Sequence, residues 1–135
     1  MALALFIGIS LGFVSILFSR LLKQLDEKAF YALMLSAIGA LYVGYTWTDK
    51  TSLIINCIQT FFFGALAYLG IKKNMYFLAA GFVLHGAFDL VYSLFSLPDL
   101  RPPHYDLFCW SIDWVIGVYL FIIAHRKLNA VTNKQ

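Results

Sequence analysis

Five apolar runs, each about as long as a bilayer's hydrocarbon core is thick, constrain this chain more than any other feature. They are residues 2–22, 30–48, 52–71, 76–97 and 108–125, of 18 to 22 residues each. At about 1.5 Å per residue a helix of this length crosses a core of about 30 Å, the fifth only just. Hydrocarbon offers no water to backbone N–H and C=O groups, so a single spanning segment must satisfy them internally, as a helix. The expected fold is all-α: one polytopic domain over residues 1–135, an integral membrane bundle of five transmembrane helices. Charged residues make up 13% of the chain, against roughly 25% in soluble domains, too few to cover a water-facing surface. The first run has no basic segment before it and no A-x-A pattern after it, so it is expected to stay as a helix and not to be removed as a signal peptide.

Basic residues set the expected orientation. Arg20, Lys23 and Lys28 follow the first run, Lys72 and Lys73 the third, and Arg126, Lys127 and Lys134 the fifth. With five spans these eight share one side, and Lys50 and Arg101 take the other. The positive-inside rule then puts the N-terminus outside and the C-terminus in the cytoplasm. The expected localisation is a multi-pass membrane protein, in the inner membrane if the source is bacterial. The basic clusters are short and form no extended face, so nucleic acid is not an expected partner. The bilayer is one, and a second copy of the chain is a further candidate. Cys57 and Cys109 form no C-x-x-C motif, and the sequence leaves open whether they ever pair.

Small residues recur on one face of the first run (Gly8-x-x-x-Gly12, extended by Ser15 and Ser19) and at four-residue spacing in the second (Ser36, Ala40, Gly44). Such stripes either let helices approach closely or are the ordinary small residues of membrane helices. Tyr42, Tyr45 and Trp47 are expected to form an interfacial aromatic belt. The connection "PDLRPPHYDL", residues 98–107, holds three prolines and excludes a regular helix. Its Asp99, Arg101, His104 and Asp106 are either solvated loop residues or part of a lid.

The stretch "LHGAFDLVYS" places His85 and Asp89 on one helical face, with Phe88 and Tyr92 beside them. An ionisable group at the centre of a membrane helix costs about 2.5–3.5 kcal/mol on insertion scales. The fifth run repeats the theme: "FCWSIDW" carries Cys109 and Asp113 at the same spacing. Asp113 lies roughly 8 Å in from Phe108 and Asp89 roughly 13 Å in from Pro98, so the two differ by about one turn. The short connection makes the two helices antiparallel neighbours. In the third run Asn56 and Gln59 fall in the same outer half. Five polar side chains from three runs therefore share a depth band. Asn56 and Gln59 have a plain alternative as interhelical glue worth about 0.6 kcal/mol, and His85 with Asp89 as a self-satisfied pair. Asp113 has no cation within a turn of its own helix. It needs a partner from another helix, a proton, a metal or water.

A histidine between two carboxylates makes an acid–base set, because two carboxylates close together in a low dielectric do not both ionise cheaply. His85, Asp89 and Asp113 also form a ligand set for a divalent metal, with Cys109 or His104 as further donors. A cysteine nucleophile is poorly supported: Cys109 lacks a histidine at helical spacing and is expected to be an inert small hydrophobe.

The segment "LHGAFDLVYS…LRPPHYDLFCWSIDW" resembles a family of small bacterial integral membrane proteins of unknown function. That family has a His-Gly-x-x-Asp helix, a proline-bearing loop and a Cys-x-x-x-Asp start to the last helix. The matching positions are His85, Gly86, Asp89, Pro102 or Pro103, Cys109 and Asp113, over the last third to half of the chain. The resemblance implies no activity, but it adds weight to these residues as a site.

The expected function is a membrane-embedded enzyme acting on a lipophilic small molecule by acid–base or metal-assisted chemistry. His85, Asp89 and Asp113 would be catalytic, and Asn56, Gln59, Tyr92 and His104 would contact substrate. Residues 98–107 would form a lid, and the cofactor, if any, would be a divalent metal. The alternatives are a proton-coupled carrier or ion-binding module, and a helper subunit of another membrane complex. Five spans without a visible inverted repeat are few for a carrier. The third and fourth runs also lose their strongly polar residues on the cytoplasmic side of His85, which favours a one-sided pocket.

Overall fold

The computed structural model describes residues 1–22, 26–95 and 100–132. Lys23, Leu97, Pro98, Asp99, Lys134 and Gln135 lie outside the described residues. The elements are α1 (Ala2–Leu21), α2 (Glu27–Thr46), α3 (Lys50–Lys72), α4 (Met75–Leu94) and α5 (Tyr105–Thr132). All five are long and apolar enough to cross a membrane.

Three helices start at a polar cap and not where hydropathy begins. The side chains of Asp26, Asp49 and Asn74 accept hydrogen bonds from the backbone N–H groups of Lys28, Ser52 and Tyr76. Each cap satisfies an otherwise orphaned N-terminal donor, so α2 and α3 begin two to three residues before the apolar runs do. α5 departs further. Its 28 residues carry it from just after Pro103 to beyond Arg126 and Lys127, so it is the longest helix and not the shortest. A helix does not stop where its side chains become polar; it continues into water until something breaks it.

α4 is the hub: it packs on α2, α3 and α5, while α1 rests against α5. Its inward face is Leu78, Phe82, His85, Asp89 and Tyr92, alternating three- and four-residue steps that hold one stripe toward the bundle. On α1, Gly8 and Gly12 meet α5. A Cβ on Gly12 would lie 2.9 Å from the Val115 side chain, and one on Gly8 would strike Ser111 and the Phe108 carbonyl. Of the two readings of the small stripe on α2, the ordinary one holds for Ala40 and Gly44. Ala40 and Gly44 are exposed, and no atom lies within 4 Å of a Cβ built on Gly44. α2 turns Tyr31, Leu35, Gly39, Tyr42 and Thr46 inward instead, since hydroxyls in hydrocarbon need partners that only the bundle supplies.

The interior divides along the helix axes. Toward the end that holds Thr132 it is apolar, built on Tyr31, Leu35, Leu78, Phe82, Ile116 and Leu120. Toward the end that holds Met1 it is polar. The described basic residues Arg20, Lys28, Lys72, Lys73, Arg126 and Lys127 belong to the Thr132 end, and Lys50 and Arg101 to the Met1 end.

Candidate functional site

One turn of α4 separates His85 from Asp89, and their Nδ1 and Oδ2 atoms are 3.6 Å apart. α5 brings Asp113 across to the same nitrogen, with Oδ2 2.8 Å from His85 Nδ1. Gly86 permits that approach. A Cβ there would lie 3.1 Å from Trp114 Cδ1 and 3.3 Å from Asp113 Cβ, tighter than ordinary packing. His85, Asp89 and Asp113 are at most 1% exposed. The cation that Asp113 lacks on its own helix is thus replaced by an imidazole from α4.

α2 supplies a fourth member. The Tyr42 hydroxyl donates to Asp89 Oδ1 at 2.5 Å. Arg101, from the connection before α5, donates through Nη1 to the same hydroxyl at 3.4 Å. Its guanidinium lies 5.3 Å from the centre of the Tyr42 ring and 4.7 Å from that of Tyr92, cation–π geometry over two aromatic faces. The connection is tied down beside it by Leu100 N–H donating to the Tyr45 carbonyl at 2.9 Å. Arg101, Tyr42, Asp89, His85 and Asp113 form one chain of polar contacts from the Met1 end into the bundle.

A second polar layer sits beside the first. Asn56 Nδ2 donates to Tyr92 Oη at 3.0 Å and to the Ser52 carbonyl at 2.9 Å. Gln59 Nε2 donates to the Gly39 carbonyl at 2.7 Å. These contacts join α3 to α4 and α2, the packing role weighed from sequence. Tyr92 is buried between Asn56 and Arg101, one turn from Asp89. Aromatic rings pack around the imidazole, with centroid distances of 4.8 Å for Phe63, 5.8 Å for Tyr42 and 6.3 Å for Phe88.

Among the described residues, five buried side-chain atoms have no hydrogen-bond partner: His85 Nε2, Asp89 Oδ2, Asn56 Oδ1, Gln59 Oε1 and Ser52 Oγ. Four of them belong to residues singled out from sequence, the fifth to the helical turn before Asn56. When Asp113 is ionised and the imidazole neutral, Nδ1 of His85 carries the proton and Nε2 presents a lone pair. The same three residues each offer one ligand atom, all within 4.8 Å of one another. One imidazole nitrogen and two carboxylate oxygens suit a divalent cation of the zinc type. Such an ion would bind Nδ1, the nitrogen that faces the carboxylates, and would take the place of the proton shared with Asp113.

His104 is not brought to this group. It is exposed at the start of α5, with φ 62°, and borders a groove lined by Met1, Leu3, Pro102 and Phe108. Cys109 is buried one turn before Asp113 but stands outside the convergent set, and both cysteines are free thiols. Sequence reasoning missed two members. Tyr42 is 0% exposed and is no interfacial belt residue. Its signal was the spacing Tyr31, Leu35, Tyr42, Thr46, one inward face of α2. Arg101 is half-buried over two rings and is not an ordinary solvated loop residue; no sequence pattern marks that fold-back.

No curated protein and no solved structure matched the chain. A sequence model of a family of unknown function, DUF6010, matches residues 3–126. The match runs through all five helices, well beyond the C-terminal stretch that carried the resemblance. The chain belongs to this family of unknown function, DUF6010.

Proposed function

We propose that this protein is a membrane-embedded enzyme that performs acid–base chemistry on a lipophilic small molecule, with its Met1 end facing outside. One observation carries the reading. A buried histidine is fixed through Nδ1 by Asp113 at 2.8 Å, while its Nε2 has no partner. A carboxylate that orients one imidazole nitrogen and leaves the other bare is the arrangement of a general base, with the carboxylate stabilising the imidazolium that forms. In this scheme His85 Nε2 takes a proton from the substrate and Asp113 holds the ring and its charge. Asp89, held by the Tyr42 hydroxyl, exchanges the proton on the other side. Asn56 and Tyr92 border the substrate, and residues 100–104, the described part of the connection before α5, form a lid whose inner surface is Arg101. The basic residues at the Thr132 end support the outside placement of Met1.

The apolar core below His85 argues against a carrier, because a transported proton would have to cross Phe82, Ile116 and Leu120. A metal-assisted version draws on a separate observation, the convergence of three ligand atoms within 4.8 Å. Elemental analysis of the purified protein separates the two: a stoichiometric divalent metal lost in Asp113→Asn supports the metal version, and a metal-free active parent rejects it.

The test of the enzyme reading needs no known substrate. Membrane lipids are profiled from cells producing the parent, Asp89→Asn, Asp113→Asn or His85→Ala at equal abundance, and each purified protein is melted. At least one lipid species should change in the parent and stay at the control level in the aspartate variants, which should melt near the parent. Identical profiles in parent and variants would sink the proposal. His85→Ala also leaves a cavity, so its melting temperature decides whether its profile counts.

A further inference from the structure

A groove runs along the outside of the bundle between α3 and α4. Ile58 and Phe62 wall it on α3, Leu84 and Val91 on α4, and Phe63 and Phe88 line its inner side. Three features separate it from an ordinary lipid-facing surface. Its volume of ≈ 540 Å³ falls in the range of small-molecule sites, about 300–1,000 Å³. Gln59 also lines it, is 6% exposed, and keeps an Oε1 without a partner. The Gly39 carbonyl is an acceptor only, so it holds the Gln59 NH₂ and leaves the amide oxygen free to accept elsewhere. Third, Phe63 and Phe88 are the rings that pack against His85. Two aromatic side chains are therefore shared by the groove and the imidazole.

We infer that this groove is the lateral binding site for a single-chain, uncharged amphiphile whose hydroxyl donates to Gln59 Oε1, and that Phe63 and Phe88 form the door between it and His85. The inference deepens the enzyme reading and rests on it for what lies behind the door. The occupant follows from depth and lining. Gln59 lies roughly 14 Å along α3 from Lys50, well inside the hydrocarbon layer, where a charged headgroup is costly. A hydroxyl-bearing hydrocarbon chain meets the apolar walls and supplies the one donor that Gln59 lacks.

The probe is a long-chain alcohol with a diazirine in its chain, compared with its methyl ether, which has the same shape and no donor. Each is photolysed with the purified protein in lipid nanodiscs, and the labelled residues are mapped by mass spectrometry. Label should concentrate on α3 and α4 around the groove, with the alcohol favoured about three- to tenfold, the value of one net hydrogen bond. Val91→Trp, on a half-exposed wall, should fill the groove and remove label from both probes. Phe61→Trp, at a position 81% exposed and outside the groove, should not. Gln59→Leu should abolish the preference for the alcohol; if melting shows that this variant has not folded, the parent's preference and Val91→Trp decide. Equal labelling by alcohol and ether in the parent, or labelling indifferent to Val91→Trp, overturns the inference. Asp113→Asn should label like the parent. Groove labelling without any Asp113-dependent lipid change would therefore reject the enzyme reading alone, and the reverse pattern would reject the groove alone.

Discussion

The bundle contains the same three-part device twice, once near each end. At the Thr132 end, the Tyr119 hydroxyl accepts from Arg20 Nε at 2.7 Å and donates to Glu27 at 3.0 Å, with the guanidinium 5.4 Å from the ring centre. At the Met1 end, the Tyr42 hydroxyl accepts from Arg101 at 3.4 Å and donates to Asp89 at 2.5 Å, with the guanidinium 5.3 Å from the ring centre. The parts and contacts match; the surroundings do not. Arg20 is exposed, and Glu27 also meets an exposed Lys127 at 3.5 Å. Water competes for every group there, and exposed ion pairs contribute little. Asp89 and Tyr42 are fully buried, and the carboxylate leads on to His85 and Asp113 instead of to solvent. A polar trio in water fastens three helices, α1, α2 and α5. Buried and joined to a second carboxylate through an imidazole, it becomes a place where a proton has few alternatives.

That contrast predicts a wide gap between matched substitutions. The largest concerns the carboxylates. Asp113→Asn and Asp89→Asn should abolish the lipid change and leave melting near the parent, or raise it, because replacing a buried charge with an amide removes a desolvation cost. Glu27→Gln should leave the lipid profile unchanged. If Glu27→Gln were as damaging as Asp89→Asn, the difference between the two ends would collapse.

Next come the tyrosines, which differ by one atom from phenylalanine. Tyr42→Phe strips a buried carboxylate of its donor and should cost about 1.5–3 kcal/mol, whereas Tyr119→Phe at a wetter site should cost under about 1 kcal/mol. Denaturation of both variants in one detergent measures the pair, and equal costs would break the comparison. The arginines should differ in function more than in stability. Arg101→Gln removes the cap over Tyr42 and Tyr92 and should slow lipid turnover about tenfold, the scale of one charged hydrogen bond, while Arg20→Gln leaves it unchanged. The smallest effect is a control on packing. Gly44→Ala meets nothing within 4 Å and should stabilise by up to about 1 kcal/mol through helix propensity. Gly86→Ala pushes on Asp113 and should destabilise. A stabilised Gly86→Ala would show that the close approach of α4 and α5 is not needed to hold His85 against Asp113.

Much of this was legible in the sequence. The lengths of the apolar runs define five helices, because hydrocarbon leaves the backbone no other choice. The spacing of His85 and Asp89, and their depth relative to Asp113, point to one shared polar centre, and the side chains do converge. What stayed hidden depends on rotation and on return contacts. Tyr42 near a helix end looks like a belt residue until the face it occupies is known, and that face is set by which of two stripes on α2 finds partners. Arg101 sits in a proline-rich connection whose path no periodicity records. Gly8 and Gly12 pack against α5 while Ala40 and Gly44 stay exposed, although the two stripes read alike, since small residues permit contact without requiring it. The end of α5 was misplaced because hydropathy marks the edge of lipid, not the edge of a helix.

The apolar core beneath the site has an electrical consequence. From Asp113 to Leu120 along α5 is about 10 Å, packed with Phe82, Ile116 and Leu120, and the ionisable groups among its described residues are phenols, Tyr31 inside it with Tyr76 and Tyr119 at its edge. Toward Met1, by contrast, Asp89 leads through Tyr42 to Arg101. In the proposed enzyme, a proton that leaves the group would depart on the side from which it came. Turnover would then move no net charge through the bilayer, so it should be indifferent to membrane voltage and should follow the acidity of one compartment only.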